Sequence, residues 1–132
     1  MRPLLYELRL NISKKIARMI VLTTTSTPFD VAAALAAQNA DITQLGLQPI
    51  KVVADYQGAV EIDLPLTTYG NSSESLNILV VKGSASGVTV LGTTPSGGSQ
   101  ETINGSTGAY SVTQAANLQI GTTGAWVAFQ AA

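Results

Sequence analysis

Pro49-Ile50-Lys51-Val52-Val53-Ala54-Asp55-Tyr56-Gln57-Gly58-Ala59-Val60-Glu61-Ile62-Asp63-Leu64 holds two short apolar runs around a turn. Ile50 to Ala54 and Ala59 to Leu64 read as strands, and Asp55 to Gly58 as the loop of a hairpin with glycine at its end. Working toward the C-terminus, Leu66 to Tyr69 is a further strand candidate that stops at Gly70-Asn71-Ser72-Ser73. Leu76 to Lys82 contains Ile78-Leu79-Val80-Val81; it is apolar on both faces, which predicts a central strand. Gly83 to Gly87 turns the chain into Val88 to Leu91, and a loop from Gly92 to Gln100 follows. Strand-like pieces then recur at Glu101 to Ile103, Ala109 to Thr113, Asn117 to Ile120 and Ala125 to Phe129. Turn signals roughly every eight to twelve residues predict an antiparallel sandwich or barrel. No repeat period argues for a solenoid.

Toward the N-terminus the pattern changes. Thr27, Pro28 and Asp30 resemble a helix start, with Thr27 as cap, Pro28 at the first position and Asp30 reaching back. The Ala-rich run after them predicts one short helix near 28–40, with Val31, Leu35 and Ala34 toward the core. Met19 to Leu22 is a second apolar run. In residues 1–18, Leu4, Tyr6, Leu8, Leu10 and Ile12 alternate with Leu5, Glu7, Arg9, Asn11 and Ser13, which favours a strand. Leu4, Leu8, Ile12 and Ile16 also recur every fourth residue, so a helix stays open. The organisation expected is an extended N-terminal arm, 1–18, joined to a β-rich domain, 19–132. Translation starting at Met19 is a further reading of the same residues.

Charge divides at the same place. The 132 residues carry seven basic and eight acidic side chains. Residues 1–18 hold five of the basic groups and only Glu7, a balance of +4, leaving two basic and seven acidic groups, −5, for residues 19–132. After Lys82 the sole charge is Glu101. So bland a surface has little electrostatic protection against association and predicts a domain partly covered by neighbours. The arm, through Leu4, Tyr6, Leu8, Arg9, Leu10, Lys14, Lys15 and Arg18, is expected to reach a partner, adding a strand to a sheet or laying cations on an acidic surface.

The chain has no cysteine and no histidine, which excludes disulfides, thiolate metal sites and any Ser–His–Asp arrangement. Glu61 and Asp63 share a strand face with Asp55 close in sequence, a set of carboxylates that could hold a hard cation or act as an acid/base pair. Alternating acids on a strand more commonly mark a solvated or partner-facing surface, and no catalytic residue, metal or cofactor is expected. The glycine-rich pieces 83–87 and 92–98 lack the spacing of a phosphate loop and read as turns. Asn11, Asn71 and Asn104 open glycosylation-type triplets that composition alone explains. Only residues 1–18 are basic, with Tyr6 as their one aromatic companion, a poor platform for nucleic acid. No segment has the roughly 18 apolar residues of a membrane span, and the charges of 1–18 interrupt any signal-peptide core.

Residues 101–127 run Glu101-Thr102-Ile103-Asn104-Gly105-Ser106-Thr107-Gly108-Ala109-Tyr110-Ser111-Val112, then Leu118, Ile120 and Gly124-Ala125-Trp126-Val127. This order resembles β-structured virion proteins of tailed bacteriophages, where an acidic-Thr-Ile-Asn-Gly turn precedes an aromatic strand and a Gly-x-Trp strand closes the module. The resemblance spans about a quarter of the chain and carries no catalytic residue. It implies a structural virion protein that assembles with symmetry; the short chain and basic arm suit a capsid decoration or cement protein, made in the host cytoplasm and placed on the capsid surface. Its implied partners are the major capsid protein and further copies of itself in a homo-oligomer such as a trimer, with Tyr110, Trp126 and Phe129 in core or oligomer contacts. A receptor- or glycan-binding fibre or spike module, using Tyr56, Tyr69 or Trp126 as exposed platforms, is the alternative in a second class. A small carboxylate hydrolase or lyase is the third.

Overall fold

The computed structural model describes residues 19–37, 49–69 and 76–130. Among the described residues the protein is mainly β, with one helix and two mixed sheets that do not close into a barrel. Sheet A contains β1 (Ile20–Thr24), β3 (Ile50–Ala54), β5 (Asn77–Lys82), β8 (Ala115–Ile120) and β9 (Trp126–Gln130), side by side in that order. Sheet B contains β2 (Phe29–Asp30), β4 (Ala59–Asp63), β6 (Gly87–Leu91) and β7 (Tyr110–Val112). The central position expected for 76–82 is where β5 lies. Residues 1–18, with every arm position named above, lie outside the described residues.

Strand connectivity corrects the expected antiparallel plan. From β1 to β6 the chain passes alternately from sheet A to sheet B, and every neighbouring pair within this half is parallel. Ile50 to Leu64 is therefore not a hairpin: Asp55 to Gly58 is an arc that carries the chain from one sheet to the other. The arc 83–86 stacks on it. Ala85 and Ser86 donate their N–H groups to the carbonyls of Ala54 (3.3 Å) and Gly58 (2.9 Å), and the Ser84 hydroxyl donates to the Asp55 carboxylate. Gly83 permits this stacking, since a Cβ there would lie 2.7 Å from the Ala54 carbonyl oxygen.

The stacking also corrects the reading that no period exists. Ile50 pairs with Ile78 and Ala59 with Gly87, a constant offset of 28 residues through both sheets. Four inward positions repeat a branched aliphatic residue, Ile50 and Ile78, Val52 and Val80, Val60 and Val88, Ile62 and Val90, whereas inward Ala54 is matched by Lys82. The first coil departs from that offset, at 30 residues in sheet A and 33 in sheet B. Antiparallel pairing is confined to β7, β8 and β9, which close the other side of the sheets.

Period-two alternation supplies the core. Inward side chains of both sheets, with Leu64, Leu76, Ile103 and the helix, form one buried cluster. The helix α1 (Val31–Ala37) starts three residues later than expected, and positions 38–40 of the expected helix lie outside the described residues. Asp30, not Thr27, caps it, accepting the Ala33 N–H at 3.2 Å; Thr27 instead accepts the Glu61 N–H at 2.9 Å, holding β4. Val31 and Leu35, four apart, are buried. Two expected strands are absent: Leu66 to Tyr69 folds into a turn closed by Tyr69 N–H on Leu66 O, and Glu101 to Ile103 makes only isolated bridges at Ile103.

Asn104 and Gly105 both have positive φ, 53° and 82°, the tight turn that Asn-Gly signals. Its side chain does more. The Asn104 amide accepts the Ala128 N–H (2.9 Å) and donates to the Ala128 carbonyl (3.2 Å), while the Asn104 backbone N–H reaches Trp126 O (3.1 Å). One residue thus occupies the outer edge of β9. Asn104→Ala forfeits both side-chain bonds and strains a left-handed position, and is expected to cost about 1–2 kcal/mol. Asn104→Gly keeps the turn and loses only the bonds. Denaturant unfolding should rank wild type above Gly and Gly above Ala.

Candidate interaction surface

The outer face of sheet A follows from register and alternation. One row across the strands is Val21, Lys51, Leu79, Asn117 and Phe129; the next is Thr23, Val53, Val81 and Ala115. Val21 is 50 % exposed and Phe129 56 % exposed, at opposite edges. Lys51 is the one charge on this face among the described residues. Asn117 donates to Asn77 (2.9 Å) and accepts from Gln119 (3.0 Å), so the polar part of the face satisfies itself. Around Lys51 and Asn117 the face is otherwise largely apolar, with Leu79, Val53, Val81 and Ala115 partly exposed between Val21 and Phe129, and exposed apolar surface on a protein can mark a contact site.

The sequence grouped Tyr110, Trp126 and Phe129; the structure separates them. Trp126 is 1 % exposed and belongs to the core, Phe129 points out of sheet A, and Tyr110 is half-buried with its hydroxyl accepting from Gln130 at 3.0 Å. Tyr56 and Tyr69 are also half-buried against the core, so with Trp126 they offer no row of exposed ring faces. The sheet A face itself was missed by the sequence reading, although the apolar character of Ile78 to Val81 on both sides was its signal.

The outer face of sheet B is different. It is hollowed into a groove of about 520 Å³, walled by Glu61, Thr89, Ser111 and Thr113, with Lys82 at one side. The hollow exists because Ala59 and Gly87 start β4 and β6; a Cβ on Gly87 would meet nothing within 4 Å.

Asp55 lies in the arc before β4, bonded to Ser84, whereas Asp63 ends that strand. The three carboxylates singled out in the sequence therefore do not converge. Glu61 and Asp63 instead share the outer face of sheet B with Asp30, which is opposite Asp63 in the ladder. Among the described residues no group of acids is placed to hold a metal ion. Partial burial, hydrogen bonding with Glu61 and the charges of Glu61 and Asp30 push the Asp63 carboxyl up to about 6.

A folded-state value above the ordinary 3.8 means that the native protein binds the extra proton. Stability contributed by neutral Asp63 is full below about pH 4 and is lost as pH rises through about 6. Asp63→Asn, neutral throughout, should flatten that fall and raise the unfolding midpoint at pH 7 while changing little at pH 4. Equal shifts at both values would show that charge is not the cause.

Among the described residues no helix is long and apolar enough to cross a membrane. Comparisons with known protein families, with curated proteins and with solved structures give no match to this chain.

Proposed function

We propose that this protein is a structural binding module without catalytic activity, a decoration or cement protein that docks on an assembled protein shell of a tailed bacteriophage. The observation that carries the reading is the apolar outer face of sheet A, bounded by exposed Val21 and Phe129. A sandwich-like stack of two short sheets presents that face as a rigid plate. Rigid, weakly charged plates with aromatic and branched anchors suit protein contacts, because docking desolvates little charge. The acidic outer face of sheet B would stay in solvent and limit self-association there. Lys14, Lys15 and Arg18, next to β1 in sequence, would add attraction to an acidic shell surface. Binding only the closed shell would stabilise it by mass action, since opening the shell would require losing each contact.

The binding reading is preferred to the hydrolase and glycan-platform readings because Asp55 stands apart from Glu61 and Asp63, and Trp126 is buried while Tyr56 and Tyr69 are half-buried. The test is sedimentation of the purified protein with purified capsids. Val21→Asp/Phe129→Asp should weaken capsid binding by about 30-fold or more, the effect of losing contacts worth ~2 kcal/mol in all. Both positions are exposed, so the unfolding midpoint should barely move. Unchanged binding of that variant, or wild-type protein that never sediments with capsids, overturns the reading.

A further inference from the structure

Each sheet has two edges, and three of the four are blocked. Asn104 occupies the edge of β9, as described. Gln130 does the same for β7, donating to Ser111 O (2.8 Å) and accepting the Thr113 N–H (2.8 Å). β2 has only two paired residues, follows Pro28 and carries Asp30; shortness, proline and charge all discourage a further strand.

β1 has none of these devices. Ile20-Val21-Leu22-Thr23-Thr24 is free of charge and proline and pairs with β3 along its whole length. Ile20 donates its N–H to Pro49 O and Thr24 O accepts from Asp55 N, both at 3.0 Å. In a parallel ladder alternate residues face the same partner, so residues 20, 22 and 24 bond toward β3. The N–H and C=O groups of Val21 and Thr23 consequently point to the open edge, with no partner among the described residues. Among the described residues two edges are closed by single amide side chains while this apolar one is covered by none, which makes it the edge suited to a further strand.

The chain itself supplies one. Eighteen residues precede Met19, which leads directly into β1, and Leu4, Tyr6, Leu8, Leu10 and Ile12 alternate as a strand should. Residues 4–12 extended reach about 30 Å, enough to cover the roughly 17 Å of β1. Ser13 to Met19, seven residues that include Lys14, Lys15 and Arg18, is enough chain to lead such a strand back into β1. We infer that residues 4–12 pair with the open edge of β1 as a sixth strand of sheet A. The pairing does not depend on the capsid reading, because it concerns how the sheet is completed.

Backbone amide exchange followed by NMR on the full chain tests it. Val21 and Thr23 amides should be protected, like those of Leu22 and Thr24, by on the order of 100-fold or more. Leu8→Pro/Leu10→Pro in the full chain removes two donors from the added strand. Val21 and Thr23 should then lose their protection while Leu22 and Thr24 keep theirs. Free exchange at Val21 and Thr23 in the unsubstituted chain overturns the inference, as does protection that survives in the variant. Cross-strand Overhauser contacts between the backbones of 4–12 and 20–24 provide a measurement independent of how the variant folds. Their absence from the unsubstituted chain overturns the pairing.

Discussion

Trp126→Ala should lower the unfolding free energy by about 3–5 kcal/mol, the range for removing a large buried aromatic. The side chain is fully enclosed where β9 begins, opposite Ile120 and bridged to Ile103, beneath the turn that Asn104 anchors. Its loss opens a cavity that the backbone cannot close, because Asn104 ties that turn to the Trp126 carbonyl. The indole N–H is buried without an acceptor among the described residues, so part of the residue works against stability. Trp126→Phe keeps a ring and removes the unsatisfied donor, and should cost only about 1–2 kcal/mol. Circular dichroism in urea is the suitable measurement, since this is the sole tryptophan of the chain and its fluorescence disappears with the substitution. Equal losses for Ala and Phe would show that the ring's volume is not what the site uses.

Gly92→Ala should cause the second large loss, at the upper end of the ~1–3 kcal/mol typical of overpacking. A Cβ at Gly92 would lie 2.3 Å from the Glu101 carbonyl oxygen and 2.9 Å from its carbon, and backbone cannot step aside as a flexible side chain does. The displacement would reach further than the loop. Glu101 N–H closes the loop on Thr93 O at 2.9 Å, and the Glu101 carboxylate accepts both the N–H (3.0 Å) and the hydroxyl (2.9 Å) of buried Thr67. Moving Glu101 therefore loosens a contact between segments 34 residues apart. Glu101→Gln, which removes one of the two acceptors, is the matching control. In a double-mutant cycle the losses should add to less than their sum, because both act on one contact. Strict additivity would place the effect of Gly92→Ala elsewhere.

Strand positions were legible because each has an alternating buried set, as in Val60 and Ile62 or Val88 and Val90. Their connectivity was not. Asp55-Tyr56-Gln57-Gly58 suits a hairpin and an arc equally, since local turn chemistry does not say which sheet receives the next strand. The offset that distinguishes the two holds between only two coils, and a single recurrence is easily overlooked. Helix capping went to Asp30 because Phe29 and Asp30 are drawn into sheet B beside Ile62 and Asp63, a tertiary demand that displaces the start by three positions. The separation of Trp126 from Phe129 was readable in principle. Residues three apart on a strand face opposite ways, so one had to point inward and the other outward. The turn at Asn104-Gly105 was visible from its dipeptide, whereas the bonds from Asn104 to Ala128 depend on a strand 24 residues away.

The constant 28-residue offset has a consequence for how such a molecule changes size. A segment copied at that period enters as one strand in each sheet, and most of its inward residues meet branched aliphatic residues like their own. Each insertion would thicken the body by one strand spacing, about 4.8 Å, and leave its cross-section unaltered. Length along the stack is thus a quantity that duplication adjusts in whole steps, while the antiparallel strands β7, β8 and β9 stay in place as a fixed end-piece.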